Sequence, residues 1–400
     1  MVDDSPLVWV EVDLGAIARN YHQLRQIIGD GHALMPIVKS NAYGHGLLPV
    51  ARTVAACGAA WLGVATLDEA VTLRAAGLQT PTVVLGPIHP AHAGLAASHR
   101  VTVGVFDLEA ARVMSDRALE VGTRLKVHAK VDTGLGRLSV TADDAVPFVS
   151  ALREMPGLEV EGIYTHLADA EGIDQSMTLK QYVNFRAVLE GLEAAGIDVP
   201  VRHMSGSAAG MLMPELRYSL VRVGIALYGL WPSEETRLLM ISKGQDLHNL
   251  LNDVEVQTRG VRLLANFLQP ALRFMTRVSQ VKSVPAGWSI GYGCTFKTRR
   301  PTRVAVLPVG YADGLDRHLS NCGHVLIRGH RAPIVGRVCM NVTVVDVTDI
   351  PDAARDDEVT LIGAQGDAEI TAEEVAEKIG TIHYEVVTRI CWDLPRVYRE

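Results

Sequence analysis

The chain has 400 residues, 48% of them hydrophobic and 21% charged, with a formal net charge of −7. That length fits two domains, or one large barrel with an appendage, and the apolar content excludes wholesale disorder. The acidic balance argues against nucleic acid or an anionic membrane as the main partner, and no apolar run approaches the ~18 residues of a membrane span.

The amino terminus, MVDDSPLVWVEVD, lacks the basic and apolar regions of a signal peptide. Next comes VWVEV (8–12), a strand that could join either of two domains. Seven of the next eight β-rich runs are ALMPIVK (33–39), WLGVA (61–65), TVVLG (82–86), VTVGV (101–105), RLKVHAKV (124–131), LEVEGIYTH (158–166) and VRHMSG (201–206). The eighth is VRVGIALYG (221–229). They are continuous apolar runs rather than alternations, as a sheet covered on both faces requires. Helical stretches lie between them, such as LDEAVTLRAAG (67–77) with Gly77 as a C′ cap, and 107–122 with Asp107 as its N-cap. This alternation predicts an α/β fold, a (β/α)8 TIM-type barrel over 13–240.

Between Trp231 and Pro270 the pattern changes. Leu247, Leu250, Leu251, Val254 and Val261 fall at helical spacing, predicting an extra helical segment over 241–270. From Leu272 onward, short strands broken by Gly and Pro predict a mostly β domain over 271–400. Five scattered cysteines, Cys57, Cys294, Cys322, Cys339 and Cys391, form no CxxC pair. They fit a reducing cytoplasm better than disulfides or a structural zinc site. There is no HExxH, and His89 and His92 sit in a loop-like stretch, so no metal is expected.

Active groups of such a barrel sit where its strands end, which selects Lys39, His166, His203 and Arg222. A lysine ending the run MPIV is partly desolvated, which lowers its pKa and suits Schiff-base chemistry; the alternative is an ammonium that snorkels to the rim. The following SNAYGHG offers small residues for close backbone approach and a tyrosine able to meet a phosphate. VDTGLGR alone means a tight turn, and SIGYGC places Tyr292 between glycines, where a tyrosine is ordinarily structural.

Taken together, these pieces resemble the alanine racemase family along nearly the whole chain. The resemblance is carried by VKSNAYGHG (38–46), HAKVDTGLGR (128–137), THLADA (165–170), RVGIALYGL (222–230), VPAGWSIGYGCTF (284–296), LPVGYADGL (307–315), PIVGRVCM (333–340) and TIHYE (381–385). It implies a barrel plus a β domain that the early strand joins, and a homodimer with shared active sites. It also implies pyridoxal 5′-phosphate (PLP) as cofactor and D-alanine supply for peptidoglycan precursors as the role.

Residue by residue, the resemblance implies that Lys39 carries PLP and exchanges the proton of the D-enantiomer, while Tyr292 of the partner subunit serves the L-enantiomer. It makes Arg222 the partner of the pyridine nitrogen, with His166 in the same chain of cations. Tyr43, Ser207, Gly224, Ile225 and Tyr384 match the phosphate cup. Arg137 and Met340 match carboxylate contacts, and Lys130 matches a lysine often carbamylated in this family. Gly206 and Asn341 depart from the family's commoner asparagine and aspartate. The competing readings are a serine or broad-specificity racemase, a barrel-fold decarboxylase using PLP, and a non-catalytic PLP carrier.

Overall fold

The computed structural model describes residues 6–249 and 267–400, which divide into two compact units. One contains 16–42, 47–249 and 267–269; the other contains 6–15, 43–46 and 270–400.

The first unit is a (β/α)8 barrel. Six parallel strands pair in chain order: Leu62–Val64, Thr82–Val84, Thr102–Val105, Leu125–Asp132, Leu158–Tyr164 and Val201–His203. Ala33–Pro36 pairs in parallel with Leu220–Val223, and Ile37 bridges to Gly63. On the other side the Arg222 N–H donates to the Ser205 carbonyl at 3.2 Å, so the eight strands close into a ring. A closed ring leaves no strand edge open to another chain.

Helix ends follow the sequence. Thr66 caps Leu67–Ala75 in a reciprocal box with Glu69, and Asp107 caps Leu108–Glu120 by accepting the Ala110 N–H at 2.6 Å. Gly77, just past the first of these helices, has φ +85°. The expected strand 221–229 is corrected: it ends at Val223, and Ile225–Tyr228 is a 3₁₀ turn. All four turn residues are buried, so an unbroken apolar run carried no period to distinguish turn from strand. The strand expected over 158–166 likewise ends at Tyr164.

One layer of the barrel interior is polar instead of branched aliphatic. His128 stands in register with Gly104 on one neighbouring strand and Gly162 on the other. A Cβ on Gly162 would lie 2.6 Å from the His128 ring, and one on Gly104 would lie 2.7 Å from the Tyr164 hydroxyl. The absent side chains are the space these rings occupy. Tyr164 then stacks on His203, with ring centroids 4.6 Å apart and planes 3° apart.

The helix Glu234–Asn249 covers the start of the predicted helical segment and includes Leu247; Leu250, Leu251, Val254 and Val261 lie outside the described residues. Among the described residues, no helix is long and apolar enough to cross a membrane.

The other unit is mostly β. Val8–Asp13 lies in its larger sheet, antiparallel to Leu272–Arg277 and parallel to Arg396–Arg399. A three-stranded sheet joins Gln280–Val284, Thr302–Leu307 and Thr343–Asp346. Val284, Ile290, Val304 and Val335 form a small core that supports the hairpin Ser289–Ile290/Phe296–Lys297.

Gly162→Ala should destabilise the barrel by about 1–3 kcal/mol, the usual cost of forcing atoms into a packed interior. Gly31→Ala, with nothing within 4 Å of its new Cβ, is the control and should be near neutral. Urea unfolding curves of the two variants check the difference.

Candidate active site

The barrel's C-terminal rim gathers four cationic side chains: Lys39, Lys130, Arg137 and Arg222. Mutual repulsion is recorded in the pKa values of Lys39, Lys130 and Arg222. Burial and then Arg137 push the Lys39 amine down against the upward pull of Glu69. Burial, Arg137 and Arg222 bring Lys130 down to about 8. Burial lowers Arg222 to about 10, which leaves it protonated at neutral pH.

Lys39 is followed by backbone that L-residues rarely adopt. Ser40, Asn41, Ala42 and Tyr43 all have φ between 53° and 55°, a left-handed helical turn. Such a turn costs about 1–2 kcal/mol per residue. Three contacts hold it. The Ser40 N–H donates to Glu69 Oε1 at 2.6 Å, the Leu47 N–H to Asn41 Oδ1 at 2.9 Å, and the Ala42 N–H to the Val38 carbonyl at 2.9 Å. Glu69 Oε2 also accepts the Ala65 N–H at 2.8 Å, tying this turn to the cap of the helix Leu67–Ala75.

The GLGR loop is built on Asp132. Its Oδ1 accepts the N–H groups of Gly134, Leu135 and Gly136 at 2.8, 2.9 and 3.2 Å, and its Oδ2 accepts that of Arg137 at 3.2 Å. Burial raises this carboxyl's pKa, but the backbone donors outweigh it and hold the group ionised. Arg137, at the loop's end, is exposed.

Arg222 is the most enclosed cation, with 4% exposure. Its Nη1 donates to His203 Nδ1 at 2.9 Å. Its Nη2 faces the carbonyls of Thr165 and Met204 at 2.9 and 2.7 Å, and His166 Nδ1 at 3.0 Å. Nε has no protein acceptor among the described residues. The expectation that His166 is one of the cations is corrected: burial and the surrounding cations, Arg222 first, keep it neutral, so with Nδ1 accepting, its proton sits on Nε2. Nearby, the Ser207 hydroxyl accepts the Gly224 N–H at 3.0 Å, which brings the start of the helix Ser207–Leu212 against the 3₁₀ turn Ile225–Tyr228. Gly206, before that helix, has open space beside it.

The barrel thus brings together Lys39, Lys130, Arg137, His166, His203 and Arg222, together with Ser207, Gly224 and Ile225. Tyr43, Tyr292, Met340 and Tyr384 belong to the other unit. There, Tyr43 and Tyr384 have ring centroids 6.5 Å apart. Tyr292 starts a 3₁₀ turn and is 73% exposed; Met340 is 56% exposed, and Asn341 is also on the surface. Gly293, with φ +72°, lets that turn sit on Arg337, whose guanidinium would be 2.9 Å from a Cβ there.

Sequence reasoning missed three contributors. Glu69 was legible as the last residue of a T-x-x-E capping box at 66–69. His128 and Glu161 lie inside strands, and a polar residue within an apolar run was their only signal.

The family model "Alanine racemase, N-terminal domain" matches residues 12–232, and "Alanine racemase, C-terminal domain" matches 271–398. The chain is 43% identical to an alanine racemase of Desulforamulus reducens, over 98% of each chain. It is 41% identical to one from Halothermothrix orenii, over 98% of this chain and 96% of the other. Among solved structures, the alanine racemase of Streptomyces lavendulae superposes with a TM-score of 0.88 at 35% identity, covering 99% and 98% of the two chains. That of Bacillus anthracis, solved with bound L-Ala-P, gives 0.86 at 37% identity, covering 99% and 96%.

The low pKa of Lys130 has a chemical consequence. An ordinary lysine near 10.4 is under 1% neutral at pH 8, whereas one at about 8 is half neutral, roughly a hundredfold gain in nucleophilic amine. Lys130 should therefore take up carbon dioxide, its nitrogen bonding to carbon and releasing a proton to leave an anionic carbamate. ¹³C-bicarbonate should give a carbamate resonance in the wild type that Lys130→Ala lacks.

Proposed function

The chain belongs to the alanine racemase family, isomerases that interconvert L- and D-alanine, and we propose that it does so with PLP attached to Lys39. The D-alanine would serve peptidoglycan precursors. One observation carries the assignment of the cofactor site. Four cations converge with no carboxylate pairing Arg222 among the described residues, and the Arg222 Nε–H is left without a protein acceptor. A site so arranged lacks an anion and a hydrogen-bond acceptor. PLP, with its phosphate, phenolic oxygen and pyridine nitrogen, fits both needs.

When bound, PLP makes the α-proton of an attached amino acid acidic. The protein's task is to control where that proton leaves and returns. The Lys39 amine, held low in pKa and anchored by the turn behind it, takes and returns the proton on the D face. Arg222 stays charged, so it donates to the pyridine nitrogen without transferring a proton, which disfavours side reactions such as transamination. Ser207, Gly224 and Ile225 make the barrel's side of the phosphate cup, with the Gly224 N–H held on the Ser207 hydroxyl and free to turn to the anion; the family resemblance assigns the hydroxyls of Tyr43 and Tyr384 to the same phosphate.

On the L face, Tyr292 of a second copy of the chain is the base, and Met340 of that copy donates its N–H to the substrate carboxylate. An exposed tyrosine on a glycine-flanked turn serves nothing within its own hairpin, which supports a homodimer with shared sites. A free phenol near pKa 10 is a weak base at neutral pH, and the proton on His166 Nε2 is a donor suited to the phenolate. Arg137 and a carbamylated Lys130 form a mutually attracting pair, the anion holding the guanidinium toward the substrate.

Purified, PLP-loaded protein should convert L-alanine to D-alanine. Its visible band should be lost on borohydride reduction, with the label on Lys39, and Lys39→Ala should have no such band. Lys39→Ala and Tyr292→Ala should each be inactive, yet mixing them with subunit exchange should restore part of the activity. The mixed dimer holds one site with both defects and one with neither. No rescue in verified heterodimers would mean each chain builds its own site.

A further inference from the structure

Arg222 is the near end of a buried chain that crosses the barrel interior. His203 Nε2 lies 2.9 Å from His128 Nδ1, and His128 Nε2 lies 3.6 Å from Glu161 Oε2. Both imidazoles have 0% exposure. Glu161 also accepts the Thr102 hydroxyl at 2.9 Å and pairs with Lys126. Its side chain is 13% exposed and borders a cavity of about 640 Å³ that Thr102, Lys126, Arg74 and Arg124 also line. The cavity lies toward the end of the barrel opposite the cationic rim.

The two ends fix every proton between them. A guanidinium can only donate, so His203 Nδ1 must be bare and its proton must sit on Nε2. That N–H needs an acceptor, so His128 Nδ1 is bare and its own proton sits on Nε2. There it faces a carboxylate, which can only accept. Protonating either imidazole puts two N–H groups face to face, so the chain holds together only with both rings neutral. Burial lowers the pKa of both in the same direction. The 3.6 Å step is longer than a hydrogen bond and acts as an electrostatic preference for the Nε2 proton.

We propose that Glu161, acting through His128 and His203, is a positioning residue that sets the tautomer presented to Arg222 and so fixes the guanidinium's orientation. Two of Arg222's acceptors are carbonyls, which cannot change character. The imidazoles can, and a His203 with its proton on Nδ1 would turn an acceptor of Arg222 into an opposing donor. The inference rests on the reading that Arg222 serves the cofactor, but the order of protons does not need turnover to be measured.

The test is ¹⁵N spectroscopy of the histidine-labelled protein as purified, alongside kinetics. In the wild type, His128 and His203 should both be neutral with the proton on Nε2. In Glu161→Gln the amide can turn its NH2 toward His128 Nε2 and oppose the order that Arg222 imposes from the other end, so both rings should become tautomer mixtures. kcat should fall about 10–100-fold, as when a carboxylate that orients a functional imidazole is lost, with KM little changed. Glu161→Asp, which keeps the carboxylate, should restore the wild-type tautomers and most of kcat. Lys126→Met should leave both rings unchanged. A wild-type spectrum with the proton on Nδ1 of either ring, or a charged His128, overturns the proposal even if no variant folds. So does a Glu161→Gln protein with unaltered tautomers and kcat. Wild-type tautomers as expected in a protein that racemises nothing would instead overturn the functional reading.

Discussion

The barrel is organised around a buried positive charge that, among the described residues, has no carboxylate beside it. Removing a guanidinium from water costs several kcal/mol unless its donors are met. Arg222 is met by two carbonyls and two imidazole nitrogens drawn from other strands and their ends. An ion pair would have been the simpler solution, but a carboxylate there would neutralise the charge that the site keeps. Neutral acceptors orient the guanidinium and leave its charge available. The cost is that imidazoles can protonate or change tautomer, so each must be controlled from behind. The glycines at 104 and 162 follow from the same constraint, since the rings that do this work fill the space of two side chains.

Much of this was legible in the sequence, and the parts that were not have identifiable reasons. The eight apolar runs gave the barrel because a two-faced buried sheet leaves that signature. Asp107 and Gly77 marked helix ends because caps are local chemistry. Lys39, His166, His203 and Arg222 were selectable from strand ends alone. The strand assigned to 221–229 failed beyond Val223 because a fully buried run has no period to read. His128 and Glu161 were only faintly marked for another reason. They lie 33 positions apart on neighbouring strands and reach Arg222 only through His203.

The gathering of cations also explains why the lysines differ. Lys39 has Glu69 near it, whose charge opposes the fall in its pKa, whereas Lys130 is flanked by Arg137 and Arg222 with Asp132 as a counterweight. Asp132 accepts four backbone N–H groups, and its pull on the amine is outweighed by burial and the two guanidiniums. The same carboxylate therefore shapes the loop that carries Arg137 and leaves Lys130 under-compensated. Burial and the two guanidiniums, set against that carboxylate, make the neighbouring amine reactive.

The left-handed turn after Lys39 is the steepest local expense in the barrel. Four residues at about 1–2 kcal/mol each come to roughly 4–8 kcal/mol. A hydrogen bond to a charged acceptor, as from Ser40 to Glu69, contributes about 1.5–3 kcal/mol, and the two neutral ones about 1 each. These contacts offset much of the strain but not all of it, and the burial of Ala42 at 0% exposure supplies apolar packing besides. A relaxed right-handed turn would send the chain after Lys39 in another direction and break the Ser40–Glu69 contact. The strain is thus the mark of a position over-determined from both sides. The strand Ala33–Pro36 fixes where Lys39 begins, and Glu69, held by its own helix cap, fixes where the chain must go next. A lysine between two such anchors has freedom only in its side chain, which is the freedom that carrying a proton to and from one face of a bound substrate requires.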